Sequence, residues 1–289
     1  MDLSLLLQAL ASGVLSAGLY ALVAIGLALA IGVIGIVNFA HGEFFMIGAF
    51  LTYQLAVSFG LDPLISIFIV APAMFLLGAL IYRTTIQYVL AAPELNQMLL
   101  TFGLGIILQN LALLTWGGDP RTIPSIAYRS LSFRIGDVTF GAVLLGSFII
   151  SLLLVLGLYW LLARTPFGRG VRAVAQNRIG ASLVGLNVNR TYLITFAITA
   201  ALAGVGGVMI AVIQSPTPTI GLAFTLKAFA IVVLAGLGNI RGIIWASLFV
   251  AVSESLVANL VPNGDSLRNA VFFAIIFLVL IWRGFRTAE

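Results

Sequence analysis

The chain reads as a succession of long apolar runs separated by short polar ones. A helix crosses the roughly 30 Å hydrocarbon core of a bilayer with about 20 residues. Runs near that length predict spans at 3–37, 41–59, 64–82, 97–116, 141–163, 192–213, 222–237, 243–260 and 269–282. The first run is uncharged for 35 residues, too long for a simple crossing and short for two, and Gly26, Gly32 and Gly35 predict a broken or tilted helix. A polar knot from Asn38 to Glu43, a turn at Leu61-Asp62-Pro63, a mixed connector at 84–96 and the break Ser215-Pro216-Thr217-Pro218-Thr219 separate the spans. Further turns are expected at 239–242 and 262–265. Residues 117–140 are hydrophilic, with Gly117-Gly118-Asp119-Pro120 as a turn and alternating character after it, which predicts a small hairpin. On the sixth span, Ala200, Ala203, Gly204 and Gly207 make small-x-x-x-small steps that admit another helix at close range.

One long polar segment breaks this pattern. Residues 164–190 carry Arg164, Arg169, Arg172, Arg178 and Arg190 and no acid, so their charge of +5 equals the net charge of the whole chain. Thr165-Pro166 reads as a helix start, with threonine as the cap and proline at the first helical position. Val171, Ala175, Ile179 and Leu183 then recur every fourth residue with Val174 beside them, while Arg172, Gln176 and Asn177 lie off the stripe. Gly185 is placed to close the helix in a left-handed conformation, and Asn189 to cap the apolar helix that follows. The expectation is one short amphipathic helix between two spans. It serves either as a connection obeying the positive-inside rule or as a docking element for a cytoplasmic partner.

With this segment in the cytoplasm, Arg83, Arg241, Arg283 and Arg286 join it, Arg121, Arg129, Arg134 and Arg268 fall outside, and Lys227 lies within a span. Nine spans leave the N-terminus outside; two short spans in the first run would make ten and place it inside. Composition agrees: the chain is 62% hydrophobic and 8% charged, against about 25% charged in a soluble domain. It is read as one membrane domain, 1–289. The basic balance comes from one loop, not a soluble face, and excludes a nucleic-acid partner. With no cysteine, disulfides and thiolate sites are excluded.

Charges inside spans are costly and face protein or water. Asn38, His41, Glu43, Lys227 and Glu254 are the candidates. A pair between Lys227 and Glu254 or Glu43 would be structural, an ion or proton relay functional; Glu43 also has the option of the cytoplasmic interface. No catalytic or metal set emerges: the single histidine has no evident co-ligands and no Gly-x-Ser-x-Gly or His-Glu-x-x-His occurs. The only lysine, Lys227, lacks the upstream glycines of a phosphate-binding loop, so uphill transport would draw on an ion gradient or another subunit.

Four stretches carry a family likeness: Val37 to Met46 (VNFAHGEFFM), Leu99 to Gly103 through Gly117-Gly118-Asp119-Pro120, Phe167-Gly168-Arg169 through Gln176-Asn177 to Gly185-Leu186-Asn187-Val188, and Gly221-Leu222-Ala223 through Leu226 to Ala230. In these the chain resembles the membrane subunits of branched-chain amino acid ABC importers, specifically the shorter of the two permeases. The likeness runs nearly end to end. It implies an all-α polytopic membrane protein of the ABC importer permease fold with about nine (eight to ten) spans. It implies a homologous second permease, two cytoplasmic ATPases that hold the ATP and Mg²⁺, an extracytoplasmic solute-binding protein, surrounding membrane lipid, and a place in the bacterial inner cell membrane. The chain itself would be neither enzyme nor cofactor-bound. Gly168, Arg169, Arg172, Ala173, Gln176, Asn177 and Gly185 match the family's cytoplasmic coupling segment, here 164–190, which seats on an ATPase. Related systems move other neutral amino acids, urea or short amides. A carrier working alone on an ion gradient would instead make Glu43, Lys227 or Glu254 essential.

Overall fold

The computed structural model describes residues 3–124, 126–236 and 239–261 and, beyond them, 264, 267, 270, 272–275, 277 and 281. Apolar stretches fold as helices here because a bilayer offers the backbone no other hydrogen-bond partners than its own. The first, α1 (Leu3–Leu29), continues through a π-helical turn (Ala30–Ile34) and ends at Gly35, whose φ of 78° is a left-handed conformation. The 32 residues of this continuous helix make it about 48 Å long at 1.5 Å per residue. The first apolar run is therefore one long span and not two short ones.

The chain returns through the polar knot into α2 (His41–Phe59) and then α3 (Ile67–Ile81). A π-helical turn (Tyr82–Ile86) and α4 (Gln87–Val89) extend α3, so most of the connector expected at 84–96 is helix. Its polar side chains hold it there: Thr84 Oγ1 donates to Leu80 O at 2.8 Å and Gln87 Nε2 to Arg83 O at 2.5 Å, both within the helix. Next come α5 (Glu94–Trp116), a 3-10 turn (Ala127–Arg129) and the expected hairpin, β1 (Ser132–Ile135) paired antiparallel with β2 (Val138–Gly141). Then follow α6 (Ala142–Arg164), α7 (Pro166–Gln176), α8 (Arg178–Leu183), α9 (Val188–Ile213), α10 (Ile220–Ala235) and α11 (Ile240–Leu260).

Among the described residues seven helices are long and apolar enough to cross a membrane, and α10, with 16 residues, is a shorter eighth of about 24 Å. Of the span expected at 269–282, residues 270, 272–275, 277 and 281 are described and helical; the rest of it, most of the turn expected at 262–265, and Arg268, Arg283 and Arg286 lie outside the described residues. The core is built on α1 and α9, the most buried of the helices. α11, α6, α9 and α10 pack around α1, while α2 and α3 pack on α9. The α2–α9 crossing is backbone on backbone. A Cβ on Gly48 would stand 2.3 Å from Gly204 O, and one on Gly207 2.1 Å from Phe45 O. The small-residue steps of the sixth span thus do what their spacing predicts.

The two ends of the bundle are chemically distinct. Gln8 of α1 exchanges two hydrogen bonds with Thr139 of the hairpin, at 2.9 and 2.8 Å, so the start of α1 shares an end with β2. From β2, α6 runs the length of the bundle to the arginine segment at the other end. Assigning the arginine end to the cytoplasm puts the start of α1 outside.

Candidate functional site: the arginine segment and the buried polar residues

The arginine segment starts as its sequence predicts. Thr165, in extended conformation, accepts the N–H of Gly168 at 3.1 Å, and Pro166 occupies the first helical position of α7. It differs at Asn177. Instead of one amphipathic helix there are two, because Asn177 adopts φ −151° and ψ 99° and its Oδ1 accepts the Gly180 N–H at 2.8 Å, capping α8. Asparagine side chains compete with the helix for backbone donors, and here the cap wins over helix continuation. The expected stripe is broken in consequence. Val171 and Val174 are buried, but Ile179, Leu183 and Val184 are 73%, 82% and 77% exposed. Three large apolar side chains thus project from the most basic part of the molecule.

The residues picked out from the sequence divide into two groups. Gly168, Arg172, Asn177 and Gly185 shape the segment. A Cβ on Gly168 would lie 2.2 Å from Leu162 O, and the Arg172 guanidinium donates to that same carbonyl, so α7 folds back against the end of α6. Gly185, at φ 85°, closes α8, with Leu186 N donating to Ala181 O at 3.0 Å. Arg169 and Gln176 are exposed and Ala173 is half-buried. α7 also rests on the π-helical turn of α1, beside a cavity of about 470 Å³ lined by Leu29, Val33, Leu158, Leu162, Val171 and Arg172. The cap of α9 is Asn187 and not Asn189: Asn187 Oδ1 accepts the Arg190 N–H at 2.9 Å, while Asn189 Oδ1 accepts from Tyr82 Oη at 2.6 Å.

Within the spans, Lys227 and Glu254 meet, with Nζ 2.9 Å from Oε1 and 3.0 Å from Oε2. Tyr20 completes the group. Its hydroxyl donates to Glu254 Oε2 at 2.5 Å and accepts from Lys227 Nζ at 2.8 Å. Glu43 is not part of this pair; it is 4% exposed, wedged between Gly105 and Gly221, and its Oε2 has no hydrogen-bond partner among the described residues. His41 Nε2 lies 3.0 Å from Val23 O, and Asn38 Oδ1 accepts the Ala40 N–H at 3.0 Å. Thr225 Oγ1 accepts the Gly42 N–H at 2.8 Å, holding α10 to the start of α2. Sequence reasoning missed Tyr20 and Thr225, since each is an ordinary span residue until a partner about 200 positions away is known.

A bundle of apolar helices with paired or buried charges, and a basic segment at one end, defines a polytopic membrane protein. The chain belongs to the family described as branched-chain amino acid transport system / permease component, whose family model matches residues 9–280. It is 32% identical to the high-affinity branched-chain amino acid transport system permease protein BraD of Pseudomonas aeruginosa, over 96% of this chain and 94% of that protein. It is 31% identical to the corresponding permease protein LivH of Escherichia coli strain K12, over 95% and 92%. The permease protein LivM of the same organism is 27% identical, over 92% of this chain and 66% of LivM. No solved structure matches the chain.

Proposed function

We propose that this chain is the shorter permease of an ATP-driven, binding-protein-dependent importer of branched-chain or other neutral amino acids. In this reading it forms half of a translocation pathway with a second, LivM-like permease in the bacterial inner membrane. Two cytoplasmic ATPases supply ATP and Mg²⁺, and an extracytoplasmic binding protein delivers the solute. The residues 164–190 couple the membrane domain to an ATPase. The observation that carries the coupling role is the exposed trio Ile179, Leu183 and Val184 among arginines. An apolar cluster rimmed by charge, left uncovered by its own chain, is the anatomy of a protein interface.

Mechanically, α7 is fastened at both ends of its contact with the membrane helices, by Gly168 and Arg172 on the α6 terminus and by packing on the π-helical turn of α1. Displacing the α7–α8 unit as ATPases close would therefore drag the inner ends of α1 and α6, a rigid-body transmission between sites. The test is co-purification and coupled transport. Ile179→Ser, Leu183→Ser and Val184→Ser together should abolish capture of the ATPases, leaving the chain in the membrane with its sister permease. Arg172→Ala with Gln176→Ala should retain the ATPases but lower solute-stimulated ATP hydrolysis about tenfold, the factor carried by 1.4 kcal/mol. Undiminished capture and coupling in both variants, or uptake that collapses with a protonophore while ATP is present, would overturn the reading.

A further inference from the structure

The extracytoplasmic ends of α6, α9 and α10 surround, together with the middle of α1, a cavity of about 350 Å³. Its apolar lining includes Leu15, Leu19, Ile210, Ile213 and Phe224. Its polar groups are few: Ser16, Tyr20, Ser147, Gln214 and Lys227. A wall that sets fixed polar groups among apolar side chains is the general form of a small-molecule site. Two further observations point to a ligand. Ser147 is 2% exposed, and its Oγ has no hydrogen-bond partner. Lys227 faces the cavity with its counter-ion set behind it, since Lys227 lines the wall and Glu254 does not.

From this arrangement we infer that the cavity is a subsite for a zwitterionic solute with an aliphatic side chain, which holds its carboxylate at Lys227 and its apolar end against Leu15, Leu19 and Phe224. The charge logic is specific. The Lys227–Glu254 pair is neutral as a unit, so a neutral zwitterion enters without adding net charge to a low-dielectric region, whereas an anion or cation would. Ammonium needs acceptors, and Ser147 Oγ and Ser16 Oγ provide them; Ser16 donates its own proton to Ser12 O at 2.8 Å and keeps lone pairs free. The site is shallow in polar contacts, which suits a step on a pathway that must also release its cargo. This inference rests on the importer reading above.

The chain contains no cysteine, so a single introduced thiol is unique within it. Ala223 lines the cavity one turn before Lys227 without belonging to the ion pair. Ala223→Cys is reconstituted with the sister permease, the ATPases and the binding protein, then treated with a membrane-impermeant anionic methanethiosulfonate applied from outside. The expected result is modification of the thiol, slowed by leucine-loaded binding protein, with leucine uptake lowered about tenfold or more, the loss of one charge-assisted contact. Ser147→Ala should raise the half-saturating concentration of loaded binding protein. A thiol that stays unmodified, or is modified with uptake intact, overturns the subsite. Absence of leucine uptake by the unsubstituted complex overturns the importer reading beneath it.

Discussion

Lys227 and Glu254 form the one ion pair inside the described spans, and the Tyr20 hydroxyl bridges the two charged groups. Nζ also stands 4.8 Å from the Tyr20 ring centroid, adding cation–π attraction. A pair this buried adds little net stability, yet removing one partner strands the other. Lys227→Met should cost about 3–5 kcal/mol, and Lys227→Met with Glu254→Gln should recover most of it. Unfolding midpoints of the purified protein in detergent check this; equal midpoints for the single and double variants would refute the argument. The group was only half legible beforehand. Two opposite charges within apolar runs announce that something must pair them, but Glu43 and Glu254 were equivalent candidates on composition. Only the helix packing, which presses Gly221 against the Glu43 carboxylate and leaves no room for a lysine, chooses between them.

Among the elements, the spans were the legible part and the joints were not. A run of twenty apolar residues is a helix in lipid whatever its neighbours, so α5 and α6 appear close to where hydropathy puts them. Caps are decided by competition. Asn187 and Asn189 both fit the start of α9, and the Tyr82 hydroxyl, arriving from another helix, engages Asn189 and leaves Asn187 to cap. Asn177 likewise carries no periodic signal, so the four-residue stripe across it reads as continuous helix when it is two. The close crossing of α2 and α9 belongs to this scale as well. Gly207→Leu would force side-chain atoms into the Phe45 carbonyl and the Ala49 N–H. With no flexible side chain there to yield, it should destabilise by about 3 kcal/mol, at the upper end for overpacking. A thermal-shift series in detergent, with Gly103→Leu in open space as control, reads the difference.

At the level of the whole molecule, the two ends differ in finish. The arginine end exposes Ile179, Leu183 and Val184 on a basic segment, whereas at the hairpin end the connecting loops are stitched to the bundle. Arg121 N donates to Pro216 O at 3.0 Å, Arg129 Nη2 to Val212 O at 3.1 Å, and Tyr128 Oη to Asp62 Oδ1 at 3.1 Å. Burial, helped by the Asp62 carboxylate beside it, pushes the Tyr128 phenol up from its usual 10 to about 12. The neutral phenol is the form the fold favours, so its contribution is complete below pH 10 and is lost as pH rises from there through about 12. Alkaline difference absorbance should show a tyrosine ionising near pH 12 that is missing in Tyr128→Phe. A midpoint near pH 10 for that residue would mean the outer end is looser than this geometry.

The position of α1 bears on how the protein is made. Its longest contact is with α11, and Ser255 donates to Ala9 O across 246 positions of sequence. α1 thus leaves the ribosome long before its neighbour α11, and its Gln8 side chain reaches Thr139 only after the hairpin has been translocated. Until then an almost wholly apolar rod rests alone in lipid, stable there because its own backbone is satisfied. Final closure of the bundle is a late, long-range event, and that is where synthesis of this protein is most exposed to misassembly.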